Sequence, residues 1–238
     1  MKKPERIVVL KEPELDTWVI VPAFNEGKVI AQVLGELVQY PYKIVVVDDG
    51  STDNTSEQAL KFPIILLKHI YNLGQGAALQ TGIEYALGFP QTQYIITFDS
   101  DGQHHITDIQ KILRKIKQGY QVVLGSRFIQ GGKTLNMPFQ KKVVLTLAIW
   151  FSGWSNGMNL TDTHNGLRGF TRDAALKLHI TQNGMAHASE ILHFIKRQKL
   201  RYCEIPVTIS YTAYSRLKGQ SIYNSINILW DLLMEKLR

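Results

Sequence analysis

Two aspartates one residue apart, Asp99 and Asp101 in FDSDGQHH, are the side chains of this sequence best suited to hold a hard cation. A D-x-D pair at the end of a β-branched run lets both carboxylates turn toward one ion, and Gln103 adds an amide oxygen. Mg2+ or Mn2+ prefers such oxygen ligands and keeps positions open for substrate phosphates. A lone D-x-D would be read as a solvated acidic turn. Its company changes that reading: Asp48 and Asp49 end a neighbouring apolar run, and Gly74 and Gly76 open a helical segment whose N-terminus can come close to a phosphate.

Elements that hold such residues follow from the hydrophobic pattern. Short β-branched runs recur at Thr17–Val21, Lys43–Val47, Ile64–Lys68, Tyr94–Phe98 and Gln121–Leu124. Between them lie helix-length segments at Gly27–Val38, Asn54–Leu60, Gly74–Leu87 and Thr107–Lys117. Strands alternating with helices predict βαβ units, hence an α/β fold with a mostly parallel sheet flanked by helices. Ligands of such sheets bind beyond the carboxyl ends of the strands. Those ends are polar here: PAFNE, DDGS, then His69 with NLGQG, DSDGQH, and GSR.

After Arg127 the rhythm changes to a glycine-rich loop, an apolar helix over about Phe139–Trp154, a polar loop, and a final stripe of Ile222, Ile226, Leu229, Leu233 and Leu237. No linker or repeat interrupts the chain. One domain over 1–238 is expected, in two halves at 17–128 and 129–238 that the resemblance drawn below makes a donor and metal half and an acceptor half.

The 238 residues carry 27 Lys and Arg against 20 Asp and Glu, a net charge of +7. This ordinary globular composition excludes disordered, collagen-like and disulfide-scaffold classes. Cys203 alone cannot form an intrachain bridge, and the N-terminus lacks a secretory signal, so a reducing cytoplasmic setting is expected. The longest apolar stretch, Val143–Trp154, falls short of the ~20 residues that span a bilayer. With Lys141 and Lys142 before it and Trp150 and Trp154 within it, this stretch reads either as a peripheral membrane contact or as core or dimer face. No basic helix or aromatic-interleaved strand points to nucleic acid.

The segments VIVPAFNEGKVI, IVVVDDGSTDNT, YNLGQGAALQTGIEYAL, YIITFDSDGQHH, VVLGSRF and DTHNGLRGF together resemble family-2 glycosyltransferases of the GT-A fold. The polyprenyl-phosphate and surface-polysaccharide sugar transferases are the most similar branches. The resemblance implies that Pro22, Phe24 and Glu26 lie along a nucleotide and that Asp49, beside Val47 and Asp48, holds its base or ribose. It places Asp99, Asp101 and Gln103 on the divalent metal, with Ser100 and Gly76 on the donor side. Arg127, Arg168 and Arg216, the last in a mobile R-x-x-G-x-S loop, would meet phosphates. Ile222 stands where the polyprenyl-phosphate enzymes carry Lys.

Asp162 and Glu190 resemble the family's acceptor-side acids, with His164 and His187 close in sequence. A hydroxyl acceptor needs a base to take its proton, whereas an acceptor phosphate needs none. His104, His105, His187 and His193 do not have zinc spacing. The expected activity is metal-dependent inverting transfer of a sugar from a GDP-, UDP- or dTDP-sugar to a lipid-linked glycan of the cell surface, at the cytoplasmic face. Transfer to a polyprenyl phosphate is the alternative, and a receiver-like signalling domain is the non-enzymatic one.

Overall fold

Five of the strands expected from the pattern form, and the sequence between them coils into helices. In order these are β1 (Thr17–Ala23), α1 (Ile30–Leu37), β2 (Lys43–Asp48), α2 (Thr55–Ala59), β3 (Ile65–Lys68), α3 (Gln75–Leu87), β4 (Tyr94–Thr97), α4 (Thr107–Lys117) and β5 (Val122–Ser126). The second half adds β6 (Lys133–Leu135), β7 (Arg168–Thr171), α5 (Arg172–Lys177), α6 (His187–Arg197), β8 (Tyr202–Pro206) and β9 (Thr208–Ser210). The computed structural model describes residues 16–139, 142–143, 145–146, 158, 160–212 and 214–215. The stripe from Ile222, Arg216 and most of the apolar helix before Trp154 lie outside the described residues.

Seven strands make the main sheet in the order β3-β2-β1-β4-β7-β5-β8, while β6 and β9 pair separately. β1, β2, β3 and β4 are parallel neighbours, and β7 runs antiparallel between β4 and β5. The two halves read from the sequence therefore share one sheet. β7 was not legible: RGFT is four residues with a glycine and an arginine, and shows no alternation to mark it.

Alternation along the strands divides the core into two layers. Val19, Val21, Val46 and Ile96 pack with α1 and α4 on one face, and Trp18, Ile20, Val45 and Val47 pack with α3, α5 and α6 on the other. Val47, read as a neighbour of the nucleotide, is a core side chain under α3. Glycines set how closely the layers approach. A Cβ on Gly82 would sit 2.3 Å from Ile20 Cγ2, and one on Gly169 would sit 2.1 Å from Ile112 Cγ2. Gly169→Ala is expected to cost about 1–3 kcal/mol by forcing α4 off β7. A urea midpoint equal to that of the native chain would contradict this packing.

α1 begins at Ile30, three residues later than its pattern suggests. The amides of Asn25, Glu26 and Gly27 are taken by Ser51 Oγ at 2.9 Å, Thr55 Oγ1 at 2.8 Å and Asp53 Oδ2 at 3.0 Å. These bonds tie the segment after β1 to the β2–α2 loop and the start of α2. The result fixes the segment after β1 as a rim, with Asn25 in the left-handed region at φ 54°.

Candidate active site

The strand order reverses between β1 and β4, and a cavity of about 710 Å3 opens at their carboxyl ends. Such a switch point is where a doubly wound sheet has room for a ligand. Pro22, Phe24 and Glu26 line it from β1, Asp49 from β2, Asp99, Ser100, Asp101 and Gln103 from β4, and Arg127 from β5. The structure thus brings nine of the expected residues to one cavity. Val47, Gly76, Asp162, Arg168 and Glu190 do not line it.

Asp49 staples the β2 side of the cavity. Its carboxylate accepts the amides of Leu73 at 2.9 Å and Gly74 at 2.7 Å, and His69 Nδ1 lies 2.7 Å away. His69 Nε2 in turn meets Thr81 Oγ1 at 3.0 Å. Glu26 accepts the Tyr214 hydroxyl at 3.0 Å, a contact that closes the rim from the far end of the described chain.

The D-x-D pair sits at the centre. Asp99 accepts Gln75 Nε2 at 3.0 Å and His104 Nε2 at 3.1 Å. Burial would raise its pKa, but the hydrogen bond and charge of His104, with His187 and Arg168, hold it below the ordinary value. Asp101 behaves oppositely. Burial and the neighbouring Asp99 charge push it up to about 6. Two crowded carboxylates of this kind are a binding site for positive charge, and a divalent cation would relieve the repulsion between them. Among the described residues no group of three or more His, Cys, Asp or Glu has metal-binding geometry. The donor set therefore suits an ion held by two carboxylates and completed by phosphate oxygens, as Mg2+ commonly is.

Several expected roles change on inspection of the geometry. Gln103, read as a third metal ligand, turns its amide nitrogen to Asp101 Oδ2 at 2.5 Å. Ser100 donates to the Pro22 carbonyl at 2.7 Å and so ties β4 to β1. Gly76 does not open a free anion site. Its amide donates to the Asn183 carbonyl at 2.8 Å, and a Cβ there would lie 2.0 Å from the Gln182 carbonyl oxygen, so its small size admits the 182–184 loop. That loop is held by Glu190, which accepts the amides of Thr181 at 3.0 Å and Gln182 at 2.9 Å. Glu190 is thus a loop clasp, with Gly184 and Met185 beyond it lining the cavity.

Arg168, expected on a phosphate, is buried behind the wall. Its Nε donates to the Asn165 carbonyl at 3.0 Å and its Nη2 to the Thr163 carbonyl at 3.3 Å, while Nη1 has no hydrogen-bond partner among the described residues. Burial lowers its pKa to about 10. Arg127 alone of the two reaches the cavity. Its Nε donates to Asp162 Oδ2 at 2.6 Å and its Nη1 to the Tyr211 hydroxyl at 2.8 Å. Burial would lower its pKa, and the charges of Asp162 and Tyr211 outweigh that and raise it. Asp162, read as an acceptor-side acid, is the counter-ion of this arginine.

Gln75, His104, His164 and Tyr211 escaped the sequence reading as site residues. His104 carried a signal, since it follows the D-x-D directly, but a histidine outside zinc spacing is more often an ordinary one. His164 and His187 are neutral, burial holding each down to about 4 from 6.5. The unfolded chain binds protons at these sites first, so stability is expected to fall as pH drops from 6.5 toward 4. Urea titrations at pH 7 and pH 5 test this, and His187→Gln should shallow the slope; an unchanged slope would contradict it.

A family model for "Glycosyl transferase family 2" matches residues 18–204. The chain is 38% identical to an uncharacterized protein of Methanocaldococcus jannaschii over 93% of each chain. It is 32% identical to UDP-N-acetylglucosamine--dolichyl-phosphate N-acetylglucosaminyltransferase of Methanococcus voltae, over 92% of this chain and 96% of that one. Among solved structures, glucosyl-3-phosphoglycerate synthase of Mycobacterium tuberculosis, in complex with Mn2+, UDP and phosphoglyceric acid, superposes with a TM-score of 0.67. At 16% identity, that match covers 91% of this chain and 78% of the other and establishes a shared fold.

Proposed function

The chain belongs to glycosyl transferase family 2, and we propose that it moves a sugar from a nucleoside-diphosphate sugar to a polyprenyl phosphate. The observation that carries the acceptor class is the state of the carboxylates. Of those lining the cavity, Asp99 and Asp101 form the crowded pair assigned here to a metal, Asp49 holds the amides of Leu73 and Gly74, and Glu26 accepts Tyr214. Asp162 is committed to Arg127 and Glu190 to the 181–182 amides. A hydroxyl would need as base one of these or the cavity-lining His164, which at a pKa of about 4 is a weak one, whereas a phosphate arrives already ionised. The lipid-linked glycan favoured by Ile222 is therefore the weaker reading. Three curated relatives add support, being named for dolichyl or dolichol phosphate.

In this account Asp99 and Asp101 would hold Mn2+ or Mg2+, which when bound would supply positive charge for the departing nucleoside diphosphate. Arg127 would face the same oxygens with the N–H groups it does not spend on Asp162, Tyr211 and the His164 carbonyl. Phe24 and the rim at Asn25–Gly27 flank the nucleoside, and Asp49 keeps the 72–74 loop in place beside it. An acceptor phosphate oxygen forms the bond to the anomeric carbon as the bond to the nucleoside diphosphate breaks. The 181–185 loop walls the site that receives it.

A lipid acceptor must be met at a surface. Leu135, Phe139 and Val143 are exposed apolar side chains, with Lys133 and Lys142 exposed among them. Residues 109–161 contain eight Lys and Arg and no Asp or Glu. Apolar side chains with a one-sided charge suit an anionic bilayer, and Leu145 of the same segment lines the cavity. No described helix is long and apolar enough to cross a membrane.

Thermal unfolding with GDP, UDP and dTDP, each with and without Mn2+, tests the donor half of this reading. One nucleotide with Mn2+ should raise the melting temperature by about 5 °C or more near 100-fold excess over Kd. No shift with any of them would contradict it.

A further inference from the structure

Arg127 is the cation of the cavity, yet the residue that sets its geometry lies on the sheet edge. We propose that Glu204 of β8 is a positioning residue that orients Arg127 through Asp162. The chain of contacts is continuous. Glu204 is the single acid in the otherwise uncharged strand YCEIP, in register with Leu124 of β5. Its carboxylate accepts the amide of Thr161 at 3.0 Å, the Thr161 hydroxyl at 3.0 Å and the amide of Asp162 at 3.1 Å. Thr161 Oγ1 also lies 2.6 Å from Ser126 Oγ, which accepts the amides of Phe128 and Ile129 at 3.2 Å.

One glutamate thereby fixes the backbone on both sides of the cavity wall: the start of the 161–168 segment directly, and the turn after β5 through Thr161 and Ser126. With its backbone held, Asp162 presents Oδ2 to the Arg127 amide at 3.1 Å and to Nε at 2.6 Å. The guanidinium plane is then held at three points, by Asp162 at Nε, Tyr211 at Nη1 and, more weakly, the His164 carbonyl at 3.4 Å from Nη2. Glu204 does not line the cavity, so it touches no substrate. Burial raises its pKa while the Thr161 donors oppose that. A half-buried acid on a strand is otherwise a cost, and here its acceptor capacity is spent on three donors of one loop.

That Arg127 meets the donor diphosphate rests on the function proposed above, and the test separates the two. Two measurements are made on the native chain and on Glu204→Gln, with Thr161→Val as a second, milder break. The first is the Nε–H resonance of Arg127 in nitrogen-15 spectra, identified by its loss in Arg127→Lys. Glu204→Gln should shift it and speed its exchange with water at least tenfold, because the Asp162 contact is no longer held. The second is a double-mutant cycle on the KM for the nucleotide sugar. Glu204→Gln alone should raise KM about tenfold, the scale of one hydrogen bond to a charged group, with kcat changed less. Combined with Arg127→Lys it should add less than twofold, since both changes act through one guanidinium.

An unmoved Nε–H resonance in both Glu204→Gln and Thr161→Val, or full additivity in the cycle, would overturn the proposal. A resonance that shifts as expected in a chain that binds no nucleotide would uphold the positioning role and retire the donor reading alone.

Discussion

Asp162→Ala is expected to unfold at a temperature lower by about 6–20 °C than the native chain. The reason is the burial of its partner. Arg127 is 8% exposed and the Asp162 side chain 1%, so removing the carboxylate leaves a guanidinium in the wall without its counter-ion. Breaking a buried pair by deleting one member costs about 3–5 kcal/mol. For a domain of this size each kcal/mol moves the midpoint by roughly 2–4 °C. Asp162→Asn should fall between, because an amide oxygen can still accept from Nε but carries no charge. A catalytic base would behave differently: its loss would abolish turnover and leave the melting temperature within about a degree. Measuring both variants by calorimetry beside their turnover therefore decides which role Asp162 has.

Asp101→Ala should lower kcat/KM by about 100- to 1,000-fold while leaving the fold intact. A metal that neutralises a departing diphosphate supplies several kcal/mol to the transition state, and each 1.36 kcal/mol is a factor of ten. The pair itself costs stability in the free protein, since Asp101 is raised to about 6 by burial and by Asp99. Removing one of two crowded carboxylates is therefore expected to hold or raise the melting temperature in metal-free buffer. The same variant should lose the stabilisation that nucleotide gains from Mn2+. Turnover within tenfold of the native chain would show that the ion is not held at this pair.

The legible parts of the fold were those with a long period or a strong boundary. Thr107–Lys117 was read with its observed limits because Ile109, Ile112, Leu113 and Ile116 make an unbroken stripe. β7 was not read, since a four-residue central strand containing Gly169 and Arg168 lacks both alternation and β-branched bulk. The site was legible as a set of strand ends, because polar residues directly after apolar runs must gather at one edge of a parallel sheet.

What the sequence did not reveal was the protein partner that each single charge takes. Arg168 and Arg127 look alike in sequence, and only the antiparallel insertion of β7 buries the first behind the wall. Gly76 carried the right signal, close approach, toward the wrong partner, since nothing local reveals that the 182–184 loop folds over α3. Glu204 is the converse: a lone acid in a strand is visible, but its purpose lies 43 residues away at Thr161.

The most direct test of the account is transfer of a labelled sugar to two acceptors presented in one vesicle, a polyprenyl phosphate and a polyprenyl-diphosphate-linked glycan. The donor is the nucleotide sugar whose nucleotide stabilises the protein, with Mn2+ present. The account predicts label on the lipid phosphate, released by mild acid, with no label on the glycan and none anywhere when the metal is chelated. Label on the glycan hydroxyl with the lipid phosphate untouched would contradict it, and would require a base that Asp162 and Glu190, as they are bonded, do not supply.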